Sequence, residues 1–288
     1  MAKLGERPAE CNDTRHPPLA YRINKIWAKI HNGIFKDGLV YQALDSRASL
    51  RALRESGKSF IRFGDAEGKL MLGGDWPTQV GSKGLAEGIR RIFEEYSSES
   101  RYLIGVANSR LKMSVEELRK INRHRIWRNS RYGLRKYLSR DTGLPFLEAN
   151  LFRVGPDGLN LEEIERLWIH KEHVVLIHNH VHYHDWFQEK YPSIATHFIQ
   201  IPEKNMFESL PRIQEETLDL LLKRKLNKET TAILIAAGPG GKVLNYNLCH
   251  KDADYLCYDM GNFFHMQVNR RRVMAEIERR RLVVGEKR

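Results

Sequence analysis

At 288 residues the chain is long enough to bury the core of one large α/β domain, and its 41% hydrophobic and 29% charged content is that of a globular protein. No apolar run is long enough to span a bilayer as a helix, and the formal net charge of +12 calls for an anionic partner. The three cysteines, Cys11, Cys249 and Cys257, are too few and too irregularly spaced for a disulfide framework or a zinc site, and read as free thiols.

The polar, proline-containing residues 1–18 lack the apolar centre of a signal peptide, so a cytoplasmic location is expected. Residues 21–35 place Ile23, Ile26, Trp27, Ile30 and Ile34 at helical spacing among Arg22, Lys25 and Lys29. This is a basic amphipathic helix, able to dock on the body of the protein or peripherally on a membrane. A helix over 46–56 leads into a strand over 58–63, and a helix over 85–96 into a strand over 101–106. Ser114-Val115-Glu116-Glu117 has the form of a helix N-terminus. Further strands are expected at 173–178, 196–201, 230–237 and 255–258, with helices at 161–168, 210–225 and 243–249. Strands alternating with helices predict an α/β fold: a doubly wound, mainly parallel, Rossmann-like sheet that binds ligands at the carboxyl ends of its strands. The expected organisation is an N-terminal extension over 1–44, a single domain over 45–265 and a basic C-terminal helix or tail over 266–288.

Positive charge is concentrated between residues 110 and 140. There Arg110, Lys112, Arg119, Lys120, Arg123, Arg125, Arg128, Arg131, Arg135, Lys136 and Arg140 face only Glu116 and Glu117. The stripe reads either as a solvated helical face whose aromatics belong to the core or as an anion-binding surface. In the second case its partner is a diphosphate, a lipid-linked acceptor at a membrane, or nucleic acid stacked on Trp127, Tyr132 and Tyr137. Arg270-Arg271-Arg272 and Arg279-Arg280-Arg281 suggest a second basic helix. A non-catalytic nucleic-acid-binding module is therefore one alternative function.

Two motifs fall at expected strand ends. In Phe60-Ile61-Arg62-Phe63-Gly64-Asp65-Ala66-Glu67-Gly68 an apolar run breaks at a glycine into two acids. Asp65 and Glu67 suit one hard cation, Mn²⁺ or Mg²⁺, that bridges to substrate phosphates, and Arg62 suits a further phosphate charge. In Gly238-Pro239-Gly240-Gly241-Lys242 a glycine-rich turn joins a buried strand to a helix, so backbone N–H groups can face a phosphate. It is not a Walker loop, since Ala236 stands where that loop needs glycine and Val243 where it needs Ser or Thr.

His170, His173, His178, His180, His182 and His184 crowd one stretch. In extended conformation the last four would share a face and could bind a transition metal, which supplies a second alternative, a metal-binding protein or metallohydrolase. The strand ends about where this run begins, which favours a loop. A histidine there is a candidate general base.

Four blocks together resemble the GT-D-fold glycosyltransferases, metal-dependent enzymes that use nucleotide sugars. They are Ile61-Arg62-Phe63-Gly64-Asp65-Ala66-Glu67, Ile201-Pro202-Glu203-Lys204-Asn205-Met206-Phe207, Gly238-Pro239-Gly240-Gly241-Lys242-Val243-Leu244 and Tyr258-Asp259-Met260-Gly261-Asn262, in the family's order over roughly residues 45–265. The resemblance implies transfer of a sugar from a nucleoside-diphosphate donor, a UDP-sugar by expectation, to a hydroxyl of a free, lipid-linked or protein-linked glycan. It further implies Mn²⁺ or Mg²⁺ on Asp65 and Glu67, and nucleotide contacts from Arg62, Gly64, Asn205, Gly238, Gly240, Gly241 and Lys242. The chain departs from the family after the fourth glycine: Asn262 replaces a histidine, and Phe263 to Asn269 replaces an acid-rich segment. The base is then sought among His178, His180, His182 and Asp259.

Overall fold

The computed structural model describes residues 19–153, 159–251 and 253–269. Elements follow in the order α1 (Leu19–Ile34), α2 (Ser46–Ser56), β1 (Ser59–Phe63), α3 (Asp65–Met71), α4 (Lys83–Glu94), β2 (Tyr102–Val106), α5 (Asn108–Leu111), α6 (Val115–Lys120), α7 (His124–Leu138) and β3 (Leu147–Glu148). The second half comprises α8 (Leu161–Glu165), β4 (His173–His178), α9 (His182–Lys190), β5 (Ala195–Gln200), a 3₁₀ turn (Met206–Ser209), α10 (Leu210–Lys223), β6 (Thr231–Ile235), α11 (Gly240–Tyr246), a π turn (Asn247–Lys251), β7 (Leu256–Asp259) and α12 (Phe263–Val268). The expected helix over 46–56 and strand over 173–178 have these bounds, and Ser114 caps α6 in the expected reciprocal box with Glu117.

The seven strands form one sheet in the order β3-β2-β1-β7-β6-β4-β5, and every pairing is parallel. All carboxyl ends therefore lie along one edge. Side chains alternate through the sheet. Ile61, Phe63, Ile177, Ile235 and Cys257 enter one core layer beneath α4, α7, α10 and α11, while Phe60, Leu103, Leu176, Leu234 and Tyr258 enter the other with α2, α8, α9 and α12. Connections toward β3 run over the first face and connections toward β5 over the second, as a single crossover hand requires. β4 leaves toward β5 and β6 toward β7, so their exits diverge. Such a divergence is the switch point at which an open parallel sheet binds its ligands.

Three local outcomes differ from the periodicity. The strand over 230–237 stops at Ile235, because Gly238, at φ +60°, turns the chain into α11. The acids of the Asp65 motif, expected at a strand end, lie there and also begin α3, where Glu67 folds back to accept the Gly64 N–H at 2.7 Å and both carboxylates meet the positive end of the helix. The histidine run is split between the end of β4, a turn and the first residues of α9.

The basic stripe belongs mainly to α6 and α7, and its aromatics divide. Trp127 and Tyr137 are buried, Tyr137 stacked on Phe93 with ring centroids 5.3 Å apart, so these two rings are core and not a stacking surface for bases. Arg131 is buried too. Its guanidinium donates to Asn32 Oδ1 (3.1 Å) and to the carbonyls of Phe35 (3.3 Å), Asp37 and Met113, tying α1 and the chain after it onto α7. Cys249 and Cys257 are buried free thiols, as expected. Cys11 and the arginines at 270–272 and 279–281 lie outside the described residues. No helix among the described residues is long and apolar enough to cross a membrane.

Arg131→Leu removes the donors of three carbonyls while keeping much of the side chain's apolar bulk. The expected loss is about 2–4 kcal/mol in urea unfolding, on the cost of leaving buried acceptors unpaired. A loss below about 1 kcal/mol would mean that α1 is held by other contacts.

Candidate functional site

Along the carboxyl edge β1, β7, β6 and β4 end on Phe63, Asp259, Ile235 and His178. Asp259 aligns with Ile235 and, through it, with Ile177. By alternation Asp259 lies on the face of α11, whereas Arg62 and His178 lie on the opposite face.

On the α11 face three charged side chains close on one another. Lys242 Nζ lies 2.9 Å from Asp259 Oδ2 and 3.5 Å from Glu67 Oε1, and the three residues are only 5%, 3% and 4% exposed respectively. The remaining carboxylate oxygens also have donors. Glu67 Oε2 accepts the Gly64 N–H, Asp259 Oδ1 accepts from Gly261 N–H at 3.1 Å, and Asp259 Oδ2 from Arg62 N–H at 3.4 Å. Charges out of water persist only when paired and hydrogen-bonded in this way.

Asp65, the first residue of α3, is only half-buried and is the accessible carboxylate of the pair. Burial raises its pKa above the usual carboxylate value, and the charge of Glu67 raises it further; its own and the Ala66 backbone N–H groups and Arg153 work in the other direction. A carboxylate pair strained by like charge is a site that a divalent cation relieves.

Arg62 extends over the other face, where its Nε donates to the Ala149 carbonyl at 2.9 Å. Its guanidinium passes so close above Gly261 that a Cβ there would meet Nη1 at 1.6 Å, and Gly261 is itself at φ +53°. Glycine is required on both counts. Arg153 joins Arg62 near Asp65 and Glu148, with Arg110 behind. Glu148, buried at the end of β3, has its pKa raised chiefly by burial and accepts from Asn150 N–H (3.0 Å) and Nδ2 (2.9 Å). Nothing in the sequence marks Glu148 and Arg153, because a two-residue strand has no readable period; the one trace is an acid directly after apolar Leu147.

The glycine loop is tightly packed. Gly240 lies against the 3₁₀ turn: a Cβ would meet Met206 Sδ at 2.8 Å and Phe207 N at 2.9 Å. Gly241 N–H bonds back to Gly238 O and Ala237 O, and Lys242 N–H to Pro239 O. Lys242 points inward. Asn205, at φ +56°, accepts from Val80 N–H at 2.9 Å and donates its own N–H to Thr78 O, fixing the loop before α4 beside this turn. The second and third sequence blocks therefore meet in space, and both meet the first through Lys242 and Glu67.

His178 is buried, and its pKa is lowered to about 4, first by burial and then by His180 and His182. Its Nδ1 accepts the His180 N–H at 3.1 Å, which leaves the neutral ring with its proton on Nε2. His180 and His182 are exposed and stacked, centroids 5.3 Å apart, with Tyr183 against His182 at 4.0 Å. His184 leaves the group to pack on Phe198. Among the described residues no three His, Cys, Asp or Glu side chains converge to hold a metal ion, so a metal centre on alternating imidazoles finds no support. A cavity of about 830 Å³ lined by Ser59, Arg101, Lys171 and Tyr255 lies at the amino-terminal edge of the sheet, away from all these groups.

The chain matches the family described as Glycosyltransferase GT-D fold over residues 60–278. Among solved structures, a selenomethionine-substituted domain of unknown function 1792 is 21% identical, with a TM-score of 0.60 and 82% of each chain covered. Another, described as domain of unknown function 1792 with a distinct glycosyltransferase fold, is 20% identical with a TM-score of 0.60, covering 83% of this chain and 82% of that one. A third, described as a new glycosyltransferase (DUF1792) from Streptococcus sanguinis, is 19% identical with a TM-score of 0.60, covering 78% of this chain and 82% of that one. No curated protein matches the sequence.

Lys242→Met leaves Glu67 and Asp259 buried beside each other without their shared cation. The expected loss is about 3–5 kcal/mol in urea unfolding, the cost of breaking a buried ion pair from one side. Adding Glu67→Gln to Lys242→Met should recover part of that loss, and no recovery would mean that the two charges are independent.

Proposed function

Because this chain belongs to the glycosyltransferase GT-D fold family, we propose that it transfers a sugar from a nucleoside-diphosphate donor, a UDP-sugar by preference, to an acceptor hydroxyl at the carboxyl edge of its sheet. The observation that carries this reading is the accessible, charge-strained carboxylate of Asp65 near the guanidinium of Arg153, which is itself neighbour to Arg62. A diphosphate needs cationic partners as negative charge grows on it when the glycosidic bond breaks; Arg62, held by the Ala149 carbonyl, offers one already in place and the exposed Arg153 a second.

The donor set fits Mn²⁺ or Mg²⁺. Asp65 is accessible and would be the direct protein ligand; Glu67, whose oxygens are engaged by Lys242 and the Gly64 N–H, would add negative charge behind it, and diphosphate oxygens and water would complete the set, as is usual for hard cations bound with phosphates. Held there, the ion would supply Lewis-acid stabilisation of the leaving diphosphate. Glu67 and Asp259, both engaged by Lys242, set the rigid frame against which Asp65 is presented. Gly64 and Gly238 shape the turns at the strand ends, and Asn205, Gly240 and Gly241 support the nucleotide side by packing.

The acceptor's proton goes to a histidine of the β4 exit. Asp259 has both oxygens occupied, and His178 has Nδ1 engaged and Nε2 protonated, so the exposed His180 and His182 are the bases this geometry leaves open. Three strand spacings, about 14 Å, separate β1 from β4. That span accommodates carboxylate, cation, phosphate, sugar, hydroxyl and imidazole in series.

Calorimetry with UDP and Mn²⁺ tests the site. Asp65→Asn should weaken Mn²⁺-dependent binding by about 10–100-fold or more, because it removes the one accessible carboxylate offered to the cation. The folded pKa of Asp65 lies above its unfolded value, so the stability contributed by the protonated acid is present below about pH 3.8 and lost as pH rises through the raised value. At neutral pH the ionised group is a cost, and the apo Tm of Asp65→Asn should equal or exceed the parent's. Unchanged Mn²⁺-dependent affinity would contradict the assignment.

The pH dependence of transfer tests the base. His178 has a folded pKa below its unfolded one, so its contribution to stability is full above about pH 6.5 and is lost as pH falls toward about 4. His178→Gln should therefore flatten acid destabilisation in that window and leave the acid limb of kcat/KM in place. The limb should disappear in His180→Ala or His182→Ala. Loss of the limb in His178→Gln alone would return the role to His178.

A further inference from the structure

Helix α1 is packed inside out. The side that meets α7 and the end of α3 is polar or small: Tyr21, Asn24, Ala28, His31 and Asn32. Asn24 Nδ2 donates to Leu72 O (3.1 Å), Asn32 Nδ2 to Arg128 O (3.2 Å) and Arg131 Nε to Asn32 Oδ1 (3.1 Å), while Arg135 Nη1 lies 2.8 Å from His31 Nε2. The side turned away from the body is apolar. Leu19 is 71% exposed, Ile26 60%, Trp27 54% and Ile34 68%, with Ile23 and Ile30 between them. At about 100° per residue, these six fall within one arc roughly 100° wide. A helix held to its protein by hydrogen bonds while it presents a continuous apolar stripe to solvent has that stripe for something else.

The charges along the stripe select the occupant. Arg22, Lys25 and Lys29, all exposed, flank one border of it. A second copy would bring the same cations to the same border, on a chain whose formal charge is already +12. Residues 270–288 contain eight Lys and Arg against three Glu, so the same repulsion applies to them, and residues 1–18 have too few apolar side chains to cover six. We propose that α1 docks this face on an anionic lipid surface, lying in the interfacial plane. Its isoleucines would enter the acyl boundary, Trp27 would sit at headgroup level, and Arg22, Lys25 and Lys29 would meet lipid phosphates. Apolar area and cationic border then act together, as stable interfacial binding by an unlipidated helix requires.

Co-sedimentation of the full chain with vesicles of phosphatidylcholine alone, or mixed with phosphatidylglycerol, tests the proposal. The parent should pellet with the mixed vesicles and not the neutral ones, less so as salt is raised. Ile26→Glu/Ile30→Glu should lower the partition coefficient by about tenfold or more, and Lys25→Glu/Lys29→Glu should abolish its salt dependence. All four positions are exposed, so these variants should melt like the parent; if the isoleucine pair does not, Trp27→Ser replaces it. Equal pelleting of parent and isoleucine variant, or no pelleting of the parent, would overturn the proposal. So would a concentration-dependent dimer in sedimentation velocity that the isoleucine substitutions dissolve, which would make the stripe a self-association surface.

Discussion

A buried lysine between two carboxylates is the interaction on which the carboxyl edge of this sheet depends. Lys242 comes from the helix after β6, Glu67 from the helix after β1, and Asp259 from the end of β7. Three separately folded strand ends are thereby locked to one point. Taking those charges from water is costly, and only the complete set of ion pairs and backbone donors offsets the cost. The residue left over is Asp65, adjacent in sequence to this frame and excluded from it. Its carboxylate is held near a like charge, where a cation is favourable.

The parallel sheet makes this possible. Since every strand runs the same way, residues more than 190 apart in sequence, such as Arg62 and Asp259, arrive at the same edge with a fixed side-chain parity. That parity sorts the chemistry. The frame of Lys242, Glu67 and Asp259 lies on the α11 face, while Arg62 and His178, at the ends of their strands, lie on the other. The divergence of β4 and β6 marks the switch point of the sheet at this edge.

Much of this was legible in the residues. Apolar runs such as Val174 to Ile177 and Ala232 to Ile235 read as buried parallel strands, and glycines marked the turns after β1 and β6, at Gly64 and Gly238. Contacts were not legible. Lys242 looked like part of a phosphate loop because its neighbours are glycines; only in space does its ammonium turn inward, and only there is Gly240 seen to be small because Met206 and Phe207 press on it. Alternating histidines would share a face only in a strand, and the end of the apolar run favoured a loop. The chain does turn at Asn179, but it then enters α9, which separates His184 from the rest. Glu148 and Arg153 had no pattern to betray them. The α1 stripe was visible as amphipathic, yet which face the body would take was not, since ordinary packing would have buried the isoleucines.

The central claim, that a nucleoside diphosphate binds at the carboxyl edge beside Asp65, is tested most directly by a crystal structure of the chain soaked with UDP and Mn²⁺. The account predicts the diphosphate between Asp65 and the guanidinium groups of Arg62 and Arg153, with the Lys242 ion pairs intact. Diphosphate at the amino-terminal cavity near Arg101 and Lys171, with the Asp65 edge empty, would contradict it.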